Sequence, residues 1–257
     1  MVSSPPPHRT ALVTGGALRI GRAIVDDLAA HGWGVAIHCR AARAEADALA
    51  ASISANGGRA AVVQAELSDL AGLPLALKHA SAALGPIDLL VNSAAMFEED
   101  AIGRLDPGAW NRQITVNLTA PVFLAQAFAA ALPAGADGNI VNIIDQRVWK
   151  PVPAFFSYQI SKSALWTATR TMAQALAPRI RVNAIGPGPV LPSSRQTQAD
   201  MDRQVATLPL RRSPALAEFG RTVRYLVETP SITGQMIALD GGQHLAWETP
   251  DVVGTRE

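Results

Sequence analysis

Cysteine is almost absent: Cys39 is the one cysteine in 257 residues, so no internal disulfide can form. That points to a reducing compartment, with the cytoplasm as the default expectation. Charge of one sign is missing as well, because 22 Lys and Arg meet 21 Asp and Glu for a net charge of +1. Nothing in that balance pulls the chain onto nucleic acid or an anionic membrane. No apolar run approaches the roughly 20 residues that span a bilayer. The opening MVSSPPPHRT lacks the apolar centre of a secretory signal. Its three prolines favour an extended, flexible arm over residues 1–9. There is no repeat, no low-complexity tract and no break in composition. Residues 10–257 are therefore expected to form one domain with ample core.

What is present is alternation. Short apolar runs read as strands at Thr10–Thr14, Gly34–Cys39, Ala60–Leu67, Ile87–Asn92, Gly138–Asp145, Arg179–Ile185 and Gln235–Leu239. Between them lie helical patterns at Ile20–Ala30, Arg43–Asn56, Leu70–Leu84, Trp110–Leu132, Phe156–Ala177 and Ala215–Glu228. Strands alternating with helices imply an α/β domain, with a mostly parallel sheet covered on both faces. Two stretches read as irregular: a loop at Phe97–Asp106 and a longer polar segment at Pro189–Leu210. The second is long enough to be a lid, about residues 189–214.

The first strand runs into Thr14-Gly15-Gly16-Ala17-Leu18-Arg19-Ile20-Gly21. Glycines at such a turn let the backbone approach a pyrophosphate, and the helix that follows offers unpaired N–H groups and a positive dipole end. NAD-binding folds usually place an acid at the end of the second strand to hold the ribose hydroxyls. Here that place reads His38-Cys39-Arg40, with Arg43 close behind. Arg40 would attract a 2′-phosphate, and Arg19 adds positive charge nearby, so NADP(H) is the expected cofactor. The alternative is that Arg40 and Arg43 are solvated surface residues.

The chemistry concentrates in Asp145–Lys162. Tyr158 and Lys162 stand four residues apart at the head of a helical pattern, so they share one face. Upstream, Gly138–Asp145 reads as a buried strand ending on a carboxylate. The end of a strand and the start of a helix are where open α/β sheets hold their ligands. A free tyrosine has a pKa of about 10. A lysine ammonium nearby lowers that value, and a carboxylate raises it. With Asp145 beside it, Tyr158 is expected to stay protonated and to act as a proton donor. Asp145 could alternatively cap the next segment. Phe97 could be loop packing, Met96 core, and Trp149 and Phe155 walls of a pocket. Arg195 in the lid could meet an anionic substrate or only solvent.

Together, TGGALRIG, Asn92-Ser93-Ala94-Ala95, Val116-Asn117, YQISK, RVNAIGPG and LDGG resemble the short-chain dehydrogenase/reductase family, over roughly Thr10 to Gly242. The resemblance implies a Rossmann-type, doubly wound, seven-stranded single domain, usually a homotetramer or dimer. It implies cofactor contacts from Gly15, Arg19, Ile20, Gly21, His38, Arg40, Glu66, Leu67, Asn92, Ala94, Tyr158, Lys162, Pro187, Gly188 and Val190. It also implies a catalytic set of Asp145, Tyr158, Lys162 and Asn117, with Lys162 on the nicotinamide ribose and Asn117 linking Lys162 to solvent through water. No metal is expected.

Three features are similar to the pteridine reductase branch and related dihydropterin reductases. Arg19 stands where the family usually has glycine, and Asp145 where it usually has serine, while Phe97 follows the fourth strand. That likeness implies substrate contacts from Arg19, Phe97, Asp145 and Tyr158, with Phe97 stacked on the pterin. The chain departs from the family at Ser93 and Ala95, where an asparagine and a glycine are usual, and at Glu66, where aspartate is usual. The expected reaction is hydride transfer from NADPH to a dihydropterin-like C=N bond. The alternatives are a ketone, oxoacyl or sugar reductase of the same fold, or a non-catalytic NADP(H) sensor. His244 and Trp247 could close a neighbouring subunit's site.

Overall fold

The computed structural model describes residues 9–193 and 195–248, so of the expected N-terminal arm only Arg9 falls within the described residues. The seven strands are β1 Thr10–Thr14, β2 Gly34–Cys39, β3 Arg59–Gln64, β4 Leu89–Asn92, β5 Gly138–Ile143, β6 Ile180–Pro187 and β7 Met236–Leu239. The helices are α1 Arg19–Ala30, α2 Arg43–Ala55, α3 Leu73–Leu84, α4 Pro107–Ile114, α5 Ala120–Ala131, α6 Phe156–Leu176, α7 Gln198–Ala206 and α8 Leu216–Glu228.

Side-chain alternation along the strands builds two cores. Ala11 and Val13 of β1 and Leu89 and Val91 of β4 join one cluster, with Ile24 and Leu28 of α1, Leu49 of α2 and Phe219 and Val223 of α8. Leu12 and Leu90 point the other way, into a cluster with Leu73 and Leu77 of α3, Leu124 and Phe128 of α5 and Ala173 of α6. Both faces of the sheet are thus covered, and the strands read as nearly continuous apolar runs for that reason. All strand pairs are parallel, in the order β3-β2-β1-β4-β5-β6-β7. The direction of winding reverses between β1 and β4. In such sheets ligands bind beyond the carboxyl ends of the strands at that reversal.

The structure corrects several boundaries. β3 ends at Gln64 and not Leu67, which leaves Glu66 and Leu67 in the loop that follows. β5 ends at Ile143, and Asp145 instead opens a 3-10 turn, Gln146–Val148. The helix expected over Trp110–Leu132 is three pieces, α4, a π-helical turn at Thr115–Thr119, and α5. Pro121 explains the break: it has no N–H to give the Asn117 carbonyl four residues back. The Ala120 N–H bonds Thr115 O, a five-residue step. The segment Pro107–Ala131 is also long and apolar enough to cross a bilayer by length and composition, which the sequence reading did not anticipate. In the fold its apolar residues Leu124, Ala125 and Phe128 belong to the second core. Its polar residues Gln113 and Asn117 are fully buried and hydrogen-bonded. The polar segment Pro189–Leu210 is not irregular throughout, because it contains α7.

Candidate active site

A cavity of about 670 Å³ opens at the reversal between β1 and β4. The glycine turn forms its floor. A Cβ at Gly21 would lie 2.1 Å from Gly15 O, and one at Gly15 would lie 3.0 Å from Ala94 Cα. The backbone therefore packs so closely here that only glycine fits. His38 holds the turn from β2: its Nδ1 accepts the Gly15 N–H at 3.1 Å, and its Nε2 lies 3.2 Å from Ala65 O. Nε2 thus carries the proton, and burial pushes the His38 pKa down, keeping the ring neutral. Thr14 ties the two strand ends together, its hydroxyl accepting from Ser93 N at 3.0 Å and Ala94 N at 3.1 Å. Arg40 lies 3.9 Å from Glu66, both exposed at the rim.

Across the cavity, Tyr158 donates to Asp145 Oδ2 at 2.9 Å, while Asp145 Oδ1 accepts the Arg147 N–H at 2.8 Å. Asp145 therefore both caps the 3-10 turn and holds the phenol. Burial, then the Asp145 charge and hydrogen bond, push the Tyr158 pKa well above its ordinary value. Burial likewise raises the Asp145 carboxyl. Lys162 Nζ donates to Ile143 O at 2.8 Å, and burial brings its pKa down to about 8. Burial and the carboxylate thus both favour the neutral phenol over the phenolate.

Phe97 stands edge-on to Tyr158, with centroids 4.7 Å apart, and stacks on Phe155 at 4.4 Å. Its loop is held by side chains from elsewhere. Asn117 accepts from Met96 N at 2.7 Å and donates to Met96 O at 2.9 Å. Gln113, four residues earlier, accepts from Glu98 N at 3.3 Å and donates to Glu98 O at 3.5 Å. The two amides mimic a neighbouring strand, gripping residues 96 and 98 by both backbone groups. Further on, Asp100 accepts the Ser157 N–H at 3.0 Å, which docks the loop on the first turn of α6. From the lid, Arg195 donates to Phe97 O at 3.1 Å. Arg19 donates to Leu191 O at 3.2 Å and Pro192 O at 3.1 Å.

The cavity gathers Gly15, Arg19, Ile20, Gly21, His38, Arg40, Glu66, Leu67, Ala94, Tyr158, Lys162, Pro187, Gly188 and Val190, together with Asp145 and Phe97. Two expected residues stand apart from that lining. Asn92 is 2% exposed, and its side chain donates to Asn142 Oδ1 at 2.8 Å, so it braces β4 on β5. Asn117 is fully buried and spends its amide on Met96 and on Ser161 Oγ at 3.1 Å. Phe155 lines the cavity, but Trp149 turns away and packs edge-on to His244 at 4.9 Å. His244 Nδ1 lies 2.6 Å from the buried Asp240 carboxylate. No cluster of potential metal ligands occurs among the described residues.

Residues 9–203 match the short chain dehydrogenase family. The chain belongs to that family. Among solved structures it is 62% identical to FolM alternative dihydrofolate reductase 1 from Brucella canis, complexed with NADP. That match has a TM-score of 0.92 and covers 95% of this chain and 97% of the other. It is 32% identical to pteridine reductase 1 of Leishmania tarentolae, over 95% of this chain and 99% of that protein. It is 31% identical to a 3-oxoacyl-[acyl-carrier-protein] reductase of Synechocystis, over 91% and 96%. The pteridine reductase branch within the dehydrogenase family is thus where this chain has close likenesses.

The sequence reading missed Gln113, Asp100, Arg147 and the lid helix α7, which adds Met201 and Gln204 to the cavity wall. A signal for α7 was present. Thr197 and Asp200 form a capping box, and the pattern T-x-x-D announces a helix start. No comparable signal marks Gln113 or Asp100, because each acts on a residue remote in sequence or across a loop.

Proposed function

We propose that this dehydrogenase uses NADPH to reduce the C=N bond of a dihydropterin-like substrate, with Tyr158 as the proton donor. The single observation that carries this is the Tyr158–Asp145 pair at 2.9 Å, with the Phe97 ring edge-on to the phenol. The cavity suits the dinucleotide: its floor is glycine backbone that no side chain could replace, and Arg40 at the rim would attract a 2′-phosphate. The nucleotide, when bound, supplies the hydride. The chain's own residues supply the proton and the orientation. Tyr158 turns its single O–H from Asp145 to the ring nitrogen and gives up that proton as the adjacent carbon gains the hydride, while Asp145 keeps the phenol in place until then. Lys162, anchored on Ile143 O, offers the nearby positive charge that steadies the phenolate left behind.

The carboxylate also selects the substrate. An alkoxide developing beside Asp145 is repelled, so simple ketones are disfavoured, whereas ring N–H groups find an acceptor there. NADPH oxidation with dihydrobiopterin, dihydromonapterin, dihydrofolate and a set of ketones tests the reading in wild type and Tyr158→Phe. Pterin turnover that falls by about 10²–10⁴-fold in the variant is expected. Turnover of ketones alone would sink the pterin reading and favour the oxoacyl-reductase alternative. Tight NADPH binding with no turnover would favour the sensor.

A further inference from the structure

We propose that Arg147 binds the substrate, its guanidinium donating to a ring carbonyl beside the ring N–H groups that Asp145 accepts. This deepens the pterin reading and rests on it. Arg147 lies in the 3-10 turn Gln146–Val148, two residues past Asp145, and gives its backbone N–H to Asp145 Oδ1. One short turn therefore fixes an acceptor and a donor next to each other, and both line the cavity. The guanidinium carbon lies 5.5 Å from the Phe97 centroid and 5.3 Å from the Phe155 centroid. The guanidinium therefore lies against both rings of the stacked pair.

Contact with the rings accommodates the charge, but it takes none of the N–H donors. Nη1 of Arg147 is buried and has no hydrogen-bond partner among the described residues. A buried donor left unmade is costly, and a ligand atom that accepts there removes the cost. Two points favour a neutral acceptor over an anion. An anion at Arg147 would also meet the Asp145 carboxylate, held on the same short turn, and be repelled by it. A carbonyl next to a ring N–H on one flat heterocycle, the 2-amino-4-oxo edge, presents acceptor and donor in the order this turn requires. A 2,4-diamino ring presents a donor in place of the acceptor.

The experiment measures binding of a 2-amino-4-oxopteridine and a 2,4-diaminopteridine, by pteridine fluorescence, to protein saturated with NADP⁺. Wild type, Arg147→Met and Arg147→Lys are compared. Methionine keeps much of the stem and removes every donor, while lysine keeps the charge without the planar fork. Arg147→Met is expected to weaken the 4-oxo compound roughly tenfold to a hundredfold, as loss of a charged hydrogen bond does, and the diamino compound by less than about threefold. Arg147→Lys recovers part of that loss. NADP⁺ affinity, set at the glycine turn, verifies that each variant is folded. Equal losses on both pteridines, or none on either, overturn the Arg147 assignment and leave the pterin reading standing. A wild type that binds NADP⁺ but neither pteridine overturns the pterin reading itself, and the Arg147 pairing with it.

Discussion

The two halves of the cavity are built on different principles. The nucleotide side, at β1 and β2, is made of backbone: Gly15 and Gly21 pack within van der Waals limits, and His38 and Thr14 brace them from neighbouring strands. The substrate side is made of side chains reaching over long distances in sequence. Gln113 and Asn117 hold Met96 and Glu98, Asp100 holds the start of α6, and Arg195 reaches from the lid. Backbone packing tolerates one residue type and defines a motif. Side-chain bracing tolerates change in either partner, so it lets one fold accept different substrates.

The sharpest way to break the nucleotide side is Gly21→Ala. Its Cβ would meet Gly15 O at 2.1 Å and Gly15 C at 2.8 Å, both backbone atoms with nowhere to go. Overpacking of this kind costs about 1–3 kcal/mol or more. NADP⁺ affinity should fall tenfold to more than a hundredfold, and the stabilisation of the melting temperature by NADP⁺ should shrink with it. An unchanged Kd by titration would show that the turn does not approach the nucleotide.

The same contrast explains what the sequence disclosed. The strands were legible because both faces are buried, and the glycine turn because no other residue fits its backbone. Tyr158 and Lys162 were legible because a helix puts residues four apart on one face. Asp145 was legible as a carboxylate at a strand end, although the strand stops at Ile143 and the residue belongs to the turn beyond. The π-turn at Thr115–Thr119 was hidden inside an unbroken apolar pattern, and only Pro121 hinted at it. Gln113 looked like any polar residue on a helix. Its burial and its partner, Glu98, exist only once α4 is folded against the loop.

Gln113→Leu should sharpen the contrast from the substrate side. It leaves the Glu98 N–H and C=O without their partner, a cost of about 1–2 kcal/mol, and loosens the loop that presents Phe97. Pterin turnover should lose about tenfold in kcat/KM, mostly through KM, with NADPH affinity unchanged. Gln113→Glu keeps an acceptor for the Glu98 N–H and should lose less. A fall in kcat with KM unchanged would mean that Gln113 does not act through the Phe97 platform.

Arg19 lies on the border between the halves and gives the smallest expected effect. Its φ is 52°, a left-handed conformation in which a side chain costs roughly 1–2 kcal/mol and glycine costs little. That is a physical reason why glycine is usual at this place in the family. Arg19→Gly removes the strain, adds some backbone entropy to the unfolded chain, and should stabilise the ligand-free protein by about 1 kcal/mol or less. The same change deletes the bonds to Leu191 O and Pro192 O that tie the glycine turn to the lid. A higher melting temperature with weaker pterin and NADPH binding would show that the arginine is held at the expense of stability because it joins nucleotide and substrate. A lower melting temperature in the glycine variant would mean that the lid contacts outweigh the strain, and that the border is held for structure.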